Sequence, residues 1–464
     1  MLKHALVLLL GSGLIHATAS AVSSRQPESK PVAAVAAGSA LADLVARAEA
    51  GNAAACWLLY RVYTDAIYED TQIDPELRDA DRALWPIAQR ACEENKHKFT
   101  PEPAVRWLRR GVELKSPSCM DELGGLLECG RYDGVTKDQA RAVELYEEAA
   151  AAGYYMSMVA LADHYDAGTC GLAKDAERAA KLRTEALAVV RRAADAGDAR
   201  ATLALGSFYR HGYAGLEKDP ARDFELNRKA AEAGEVVAMA IAGWYLYRGL
   251  GVERDEREGI RWLQKGVERK GPYAMYLIAC LIGEGKVEGS VERAGELFVE
   301  AAARGVPRSM YAVGRGHATG EWGLREDSKL AKKWLRRAAD ANEPEAMFDL
   351  GCISYKGWDE PADRAGAAEW FERAAELDHA ESMRVLAGMY LAGHGLSKDP
   401  AKAVQLLTRA VGRGNIEAKY DLAACLLAGI GVAEDRGRAR QLLNEAADAG
   451  SDRARKRLEA EFPG

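Results

Sequence analysis

Apolar and polar positions follow one another along this chain with the period of paired amphipathic helices. In the stretch from Ala201 to Gly212, apolar residues recur at i, i+4 and i+8, which predicts a helix with one buried stripe. The final glycine is expected to end that helix, because glycine adopts a left-handed backbone conformation at little steric cost. An aspartate followed by proline, as at Asp219–Pro220 and Asp399–Pro400, then predicts the start of a second helix.

This two-helix pattern repeats along most of the chain. After each second helix comes one position, called here the turn residue, which is occupied in order by Gly51, Lys115, Gly153, Gly197, Gly234, Lys270, Gly305, Asn342, Asp378, Gly414 and Gly450. From Gly153 onward the turn residues are 44, 37, 36, 35, 37, 36, 36 and 36 positions apart. Fifteen positions beyond each turn residue, from the second copy on, lies a loop glycine, namely Gly130, Gly168, Gly212, Gly249, Gly285, Gly320, Gly357, Gly393 and Gly429. This register predicts an all-α solenoid of about ten antiparallel helix pairs.

The ends of the array and one internal copy depart from the register. Residues 41–116 are predicted to form an N-terminal capping repeat, which has Ala66 in place of the loop glycine and roughly 28 extra residues with one additional helix near 81–99. Residues 117–450 are predicted to hold nine repeats, and the copy that follows Gly153 is about eight residues longer than the others. Residues 451–464 restart a first helix and stop, as a polar terminal cap does.

The N-terminus has the pattern of an export signal. Lys3 precedes an apolar run from Ala5 to Ile15, and small residues follow at the expected cleavage sites, so residues 1–21 are predicted to be a signal peptide. Residues 22–40 are rich in Ala, Ser and Pro and are predicted to be a flexible linker. No later apolar run is long enough to span a bilayer. We therefore expect an exported protein, periplasmic or secreted, without membrane insertion.

Composition and charge narrow the class of partner. Of the 464 residues, 48% are apolar, which is enough to bury a large core. The formal net charge is −7, and no basic block interleaved with aromatic residues occurs, which argues against nucleic acid as a partner. An acidic chain of this kind favours a basic protein or peptide partner.

The repeat resembles the Sel-one-like repeat (SLR) family, relatives of the tetratricopeptide repeat. The positions that match the first half of that repeat are Ala201, Leu205, Gly206, Tyr209 and Gly212. The loop is matched best by Gly249, Gly251 and Val252 and by Gly429, Gly431 and Val432. The resemblance covers about residues 41–461 and implies a right-handed superhelical stack that binds a protein or peptide on its concave face. For exported bacterial members it suggests host-factor binding, envelope assembly, or immunity against periplasm-targeted toxins.

The resemblance also implies that the first helix of each pair lines the concave groove. The residues then expected to bind the partner are Arg210, Trp244, Tyr247, Arg248, Tyr276, Tyr311, Arg315, Phe348 and Tyr355, with Tyr420 further on. Trp, Tyr and Arg dominate binding hot spots because they combine a large contact area with a polar group. Exposure is expected for Trp244, Tyr247, Arg248 and Arg315. Packing between neighbouring first helices remains an equal alternative for Tyr276, Tyr311, Phe348 and Tyr420, and Trp322 and Trp358 form a second candidate patch at the loops.

The eight cysteines could form disulfides in an exported protein. Two pairs are candidates: Cys129–Cys170, which is the leading one, and Cys56–Cys119. A fully reduced chain remains the alternative. Three further cysteines lie two repeats apart, beyond the roughly 7 Å Cα separation that a disulfide spans, and are expected to be free and mostly shielded: Cys280, Cys352 and Cys425.

No catalytic motif is recognisable in the sequence. The histidines show no short metal-ligand spacing, so neither a metal nor a cofactor is expected. Asp163 and Asp166 are interpreted as surface carboxylates, and Gly393–His394–Gly395 as an inter-helix connection, with His394 facing solvent, rather than as a phosphate loop. His317 occupies a Tyr position of the repeat and is expected in or near the core.

The preferred function is non-enzymatic sequestration of a protein partner, as by an immunity protein that neutralises a secreted toxin such as a lipase. An adaptor or scaffold in envelope assembly is an alternative of the same class. A cell-wall or β-lactam hydrolase is the alternative of another class, and it requires an exposed nucleophile with a base nearby.

Overall fold

The computed structural model describes residues 39–63, 84, 87, 88, 90, 91, 101–129 and 135–462. Within this part of the chain every regular element is helical, with 22 α-helices and no strand. The helices group into two compact units, an N-terminal unit that ends at Ser309 and a C-terminal unit that begins at Met310. The predicted all-α array of helix pairs is confirmed.

Most helices are 13 residues long. Those of the N-terminal unit are α1 (Ala40–Glu49), α2 (Ala53–Tyr63), α3 (Pro101–Glu113), α4 (Pro117–Cys129), α5 (Gln139–Ala151), α6 (Tyr155–Ala167), α7 (Ala176–Asp195), α8 (Ala199–His211), α9 (Pro220–Glu232), α10 (Val236–Arg248), α11 (Glu256–Glu268), α12 (Pro272–Gly283) and α13 (Val291–Ala303). The unit boundary falls within α14 (Pro307–Thr319). The C-terminal unit continues with α15 (Ser328–Asp340), α16 (Pro344–Lys356), α17 (Arg364–Glu376), α18 (Ala380–Ala392), α19 (Pro400–Gly412), α20 (Ile416–Ala428), α21 (Arg436–Asp448) and α22 (Asp452–Glu461).

Side-chain caps start the second helix of each pair. A carboxylate or hydroxyl oxygen accepts a hydrogen bond from the backbone N–H three positions on, which pairs one of the amides left free at a helix start. The capping residues are Asp138, Asp175, Asp219, Asp255, Ser290, Asp327, Asp363, Asp399 and Asp435. The predicted starts at Asp219–Pro220 and Asp399–Pro400 are confirmed.

Left-handed backbone conformations end both helices of the pair. All eleven turn residues have positive φ, including the four that are not glycine, Lys115, Lys270, Asn342 and Asp378. Gly130 lies outside the described residues, and each of the other loop glycines also has positive φ. The repeat therefore requires two chain reversals per copy, and the sequence meets this requirement with glycine at most of them.

Small residues allow neighbouring helices to pack closely. A Cβ placed on Gly243 of α10 would lie 2.8 Å from the carbonyl oxygen of Gly259 on α11, so only glycine fits there. Paired alanines are buried near the ends of several second helices, as at Ala230 and Ala231. First helices of neighbouring repeats also contact one another within each unit, for example α10 with α12 and α18 with α20. The buried stripe predicted for α8 is only partly correct, since Ala201 is fully buried while Leu205 is half-buried.

Two predicted departures from the repeat register, the long copy and the terminal cap, are present in the structure. The long copy is explained by α7, which has 20 residues instead of 13. The terminal cap is present as α22, in which Ala454 is buried and Leu458 packs against the preceding core. The signal peptide, nearly all of the linker, Ala66 and most of the inserted segment near 81–99 lie outside the described residues.

Candidate partner-binding surface

The nine residues predicted to bind a partner all lie on first helices. Five of them belong to the N-terminal unit, on α8, α10 and α12: Arg210, Trp244, Tyr247, Arg248 and Tyr276. The other four belong to α14 and α16: Tyr311, Arg315, Phe348 and Tyr355. The two groups differ in how much of each side chain reaches solvent.

The expected exposure of Trp244 and Tyr247 is wrong. Trp244 is 1% exposed and Tyr247 is 6% exposed, and their rings stack at 5.6 Å between centroids. They are buried because α10 packs against α11 on one side and against the next first helix, α12, on another. Arg248 is exposed as expected, and its guanidinium lies over the Trp244 ring at 5.5 Å. Only the arginine of this group is available to a partner.

Tyr276 is buried rather than exposed in a groove, and the ring that it contacts lies on the second helix of its own pair rather than on a neighbouring first helix. It is 3% exposed, and its ring centroid lies 6.1 Å from that of Phe298 on α13. Its side chain is therefore part of the core between paired helices and not of an open groove.

Arg210 belongs to a buried polar network. Its Nε lies 2.7 Å from Oδ2 of Asp223, a carboxylate with no solvent exposure. The Tyr245 hydroxyl donates to the same oxygen at 2.5 Å, and Asn227 Nδ2 donates to Oδ1 at 2.6 Å. Burial raises the pKa of Tyr245, which keeps its hydroxyl protonated as a donor. Arg210 thus neutralises a buried aspartate, and its side chain is 12% exposed.

The four predicted residues of the C-terminal unit are all partly exposed. The Arg315 side chain is 44% exposed, as expected, and its Nη1 lies 3.6 Å from Oδ2 of Asp349. Tyr311 is half-buried beside this pair, and burial together with the Asp349 charge raises the pKa of its hydroxyl. Burial also raises the pKa of Asp349, although Arg315 opposes that effect.

Phe348 and Tyr355 line the same helix, α16. Phe348 is half-buried against Phe371, with 5.7 Å between ring centroids. His394 is exposed, as predicted. Its Nδ1 atom lies 3.0 Å from the Tyr355 hydroxyl, a contact that the sequence did not predict.

A set of charged residues on α18, α20 and α22, called here the arginine ladder, was not singled out from the sequence. It consists of Glu381, Arg384, Glu417, Asp421 and Arg453. Arg384 lies 2.5 Å from Glu381 and 3.2 Å from Asp421, and Arg453 lies 2.8 Å from Glu417.

The arginine ladder also contains an aromatic contact and has a recognisable sequence signal. The Arg453 guanidinium stacks over Tyr420 at 4.2 Å. Burial alone would raise the pKa of Glu381, but hydrogen bonds from Arg384 and Asn415 lower it below its usual value. If the first helices line the groove, the positions three and six beyond each turn residue are expected to face it, and four of the five ladder residues occupy such positions. Applying that rule to polar residues of the last copies would have found them.

The two tryptophans of the candidate loop patch and the nearby His317 are all half-buried. Trp322 and Trp358 are half-buried, and the carbonyl of Trp358 accepts a hydrogen bond from Lys332. His317 is half-buried and bonds to the carbonyl of Arg325 at 2.8 Å.

Asp163 and Asp166 are more than independent surface carboxylates. Both pair with Arg183, whose guanidinium also lies over the Tyr213 ring at 4.2 Å. They therefore fix the position of α6 relative to α7.

The six cysteines whose side chains the structure describes form no disulfide. Cys280, Cys352 and Cys425 are free, as predicted, and only Cys352 is half-buried rather than buried. Cys56 and Cys119 are buried thiols that form no disulfide in the structure, both lie against Gly111, and burial raises the pKa of Cys56 to about 11. Cys170 is also free, while the side chain of its proposed partner Cys129 lies outside the described residues. Both disulfide pairings stay predictions.

Comparison with known proteins identifies the repeat. The Sel1 repeat matches residues 117–154, 156–182, 199–235, 236–270, 272–306, 307–343, 344–379, 380–415 and 416–451, well over half of the chain. The chain belongs to the Sel1 repeat family. Sel1 repeats form a protein-interaction fold, and proteins built from them are generally non-catalytic scaffolds.

Individual proteins and solved structures are similar to parts or to most of this chain. Chitin synthase regulatory factor 3 of Schizosaccharomyces pombe is 32% identical over 130 residues, which are 26% of this chain and only 14% of that protein. The solved structure of a protective antigen from uropathogenic Escherichia coli, displaying an SLR fold, covers 91% of each chain with a TM-score of 0.50 and 22% identity. An immunity protein from Pseudomonas aeruginosa aligns over 50% of this chain and 89% of its own, with a TM-score of 0.33 and 18% identity. The likeness to the Escherichia coli structure is one of fold alone.

No described helix of this Sel1 protein is both long enough and apolar enough to cross a membrane.

Proposed function

We propose that this chain is an exported, non-enzymatic binding protein that sequesters a protein partner on the first helices of its C-terminal unit. The observation that carries the proposal is the row of partly exposed arginines on α14, α18 and α22. The side chains of Arg315, Arg384 and Arg453 are 44%, 26% and 57% exposed. Each is already held by a carboxylate of the same unit, as described above.

Side chains fixed in this way lose little conformational entropy when a partner binds. Immobilising a long flexible side chain at an interface costs about 0.5–1.5 kcal/mol. An ion pair with a carboxylate of the same unit reduces that cost, because it restricts the arginine before the partner binds. Arginine also offers a planar, weakly hydrated donor group that suits desolvated contacts. The half-exposed rings of Tyr311, Phe348, Tyr355 and Tyr420 add apolar contact area.

The predicted binding residues of the C-terminal unit are more exposed than most of those in the N-terminal unit, so we place the centre of the binding surface in the C-terminal unit. In the N-terminal unit Trp244, Tyr247 and Tyr276 are buried, and Arg210 neutralises an aspartate. A partner cannot reach these groups without opening the core. The bound surface of the partner would be its active or membrane-binding face, so that binding inactivates it, as in toxin neutralisation by an immunity protein.

The first experiment is affinity capture with the mature protein, from about residue 22, followed by mass spectrometry. A secreted toxin or hydrolase that binds stoichiometrically and loses activity is the expected result. Stable capture of a set of envelope-assembly proteins would instead identify an adaptor. N-terminal sequencing of the protein from cell fractions tests export, which predicts a chain that starts near residue 22 in the periplasm or medium.

Paired variants then test the surface. Arg315→Ala combined with Arg453→Ala should weaken binding at least about tenfold, since hot-spot arginines lose about 2 kcal/mol or more on truncation. The matched control is Arg336→Ala combined with Arg438→Ala, two exposed arginines on the second helices α15 and α21. Equal binding by both double variants would place the partner elsewhere on the protein.

A further inference from the structure

Three side chains with metal-binding atoms converge where two neighbouring repeats of the N-terminal unit meet. They are Glu128 near the end of α4, His164 near the end of α6, and Cys170 in the loop that follows α6. One ligand atom from each lies within 4.8 Å of the other two. The sequence conceals this group, because Glu128 and His164 are separated by one whole repeat.

We propose that Glu128, His164 and Cys170 bind a thiophilic divalent cation such as Zn²⁺. The Nε2 atom of His164 lies 3.5 Å from Oε2 of Glu128 and 3.9 Å from Sγ of Cys170. Tetrahedral zinc with bonds of about 2.0–2.3 Å separates such ligand atoms by roughly 3.3–3.6 Å. The two distances from Nε2 therefore differ from that range by at most a few tenths of an ångström.

The surroundings of the three ligands suit a metal site. The other ring nitrogen of His164, Nδ1, lies 2.8 Å from the hydroxyl of Thr169, which orients the ring with Nε2 toward the other two ligands. The Tyr146 hydroxyl donates to Oε2 of Glu128 at 3.2 Å. The His164 side chain is only 12% exposed and Cys170 is 7% exposed. A partly desolvated set of N, S and O donors is the environment in which zinc competes well with water.

The loop conformation of the repeat places Cys170 beside His164. Cys170 has a φ of +54°, and the same loop position of other copies, held by Ala214, Trp322 and Asp359, also has positive φ. The conformation therefore belongs to the repeat, and in this copy the residue that it carries is a cysteine whose thiol lies next to His164.

A nucleophile–base pair explains the geometry less well. In such a pair the imidazole Nε2 faces the thiol alone, and a carboxylate or amide orients Nδ1. Here the carboxylate of Glu128 lies on the Nε2 side with the thiol, and a neutral hydroxyl lies at Nδ1. Nε2, the carboxylate and the thiol together suit coordination of one cation, with a fourth position for water or for a ligand from outside.

Cobalt(II) titration of the purified mature chain tests the site. One equivalent of Co²⁺ should bind, produce a thiolate-to-cobalt charge-transfer absorption, and be displaced by Zn²⁺. Cys170→Ser should abolish the charge-transfer band, and Glu128→Gln should weaken Co²⁺ binding at least about tenfold. The matched control Cys352→Ser, which removes a half-buried thiol of the C-terminal unit, should leave the titration unchanged.

Two further measurements keep the test decisive if a variant folds poorly. Zn²⁺ should raise the Tm of the parent and protect Cys170 from alkylation, as judged by peptide mass spectrometry. No stoichiometric binding by the reduced parent would overturn the proposal, and so would a charge-transfer band that survives in Cys170→Ser. A Cys129–Cys170 disulfide in protein isolated from the cell would also overturn it, because the thiol would then be consumed.

Discussion

At the residue scale, burial separates side chains that look equivalent in the sequence. Trp244 and Arg248 lie one helical turn apart on α10, yet the indole is fully covered and the guanidinium lies above it in solvent. The periodicity of a first helix predicts which residues share a face, but not how far that face is covered by the neighbouring first helices. Their exposure depends on the side chains of α12 as much as on those of α10.

Single substitutions on α10 check this assignment. Trp244→Ala should lower the free energy of unfolding by about 3–5 kcal/mol, because it leaves a large cavity in the core. Arg248→Ala should change the free energy of unfolding by no more than about 0.5 kcal/mol, since its side chain is at the surface. Urea unfolding of both variants gives the comparison, and a neutral Trp244→Ala would mean that the indole lies in an open groove.

The buried carboxyl group of Glu235, the capping residue of α10, should make the free energy of unfolding depend on pH. Its side chain accepts a hydrogen bond from the Val237 amide at 3.2 Å, Oε2 has no hydrogen-bond partner within the described part of the chain, and the residue is 3% exposed. Burial raises the pKa of Glu235, although Arg200 opposes the rise. The favourable contribution of the protonated form is therefore complete below the unfolded pKa of about 4.3 and is lost as pH rises through the higher folded-state pKa.

Glu235→Gln should reproduce the protonated form at every pH. We expect this variant to match the parent near pH 4 and to exceed it by about 1 kcal/mol or more at neutral pH, because a buried charge has been removed. Urea midpoints measured across this range test the difference. Glu232→Gln, on the exposed surface of α9, is the control and should show no such trend. A constant difference between Glu235→Gln and the parent would contradict the assignment.

At the element scale, helix boundaries were the most predictable feature. Acidic caps, prolines at the first helical position and glycines at the ends act within a few residues, so their effects can be read from a local stretch of sequence. The long α7 was predicted only as extra length, since nothing local distinguishes a longer helix from a longer loop before packing is known. The arginine ladder was missed because it connects residues of successive repeats.

The turn residue Lys270 has a backbone conformation that favours glycine. Lys270 ends α11 with a φ of +57°, where glycine carries no steric cost. Lys270→Gly should raise the free energy of unfolding by about 0.5–1 kcal/mol after the greater chain entropy of glycine is subtracted. The reciprocal change Gly305→Lys, at a φ of +91°, should lower it. Thermal unfolding measures both, and shifts of the same sign would show that backbone conformation does not control this position.

At the scale of the whole molecule, the family and the repeat number follow from periodicity, whereas the binding surface does not. A solenoid repeats one local structure, so eleven turn residues in register are sufficient to predict the architecture. A binding surface requires knowledge of which side chains are already engaged with one another. Arg210 and Arg315 both lie on first helices, yet one neutralises a buried aspartate and the other remains 44% exposed.

The spacing of the cross-repeat bonds has a consequence for synthesis. Asn415 bonds to Glu381 across 34 positions, Arg453 to Glu417 across 36, and Arg384 to Asp421 across 37. Each copy therefore needs only its immediate neighbour in the chain to complete these contacts. Since ribosomes add roughly 5–20 residues per second, a new copy emerges every few seconds, which is slow compared with the closure of local helical contacts. The chain can consequently acquire its structure one copy at a time from the N-terminus, with only the most recent copy left unpaired while translation continues.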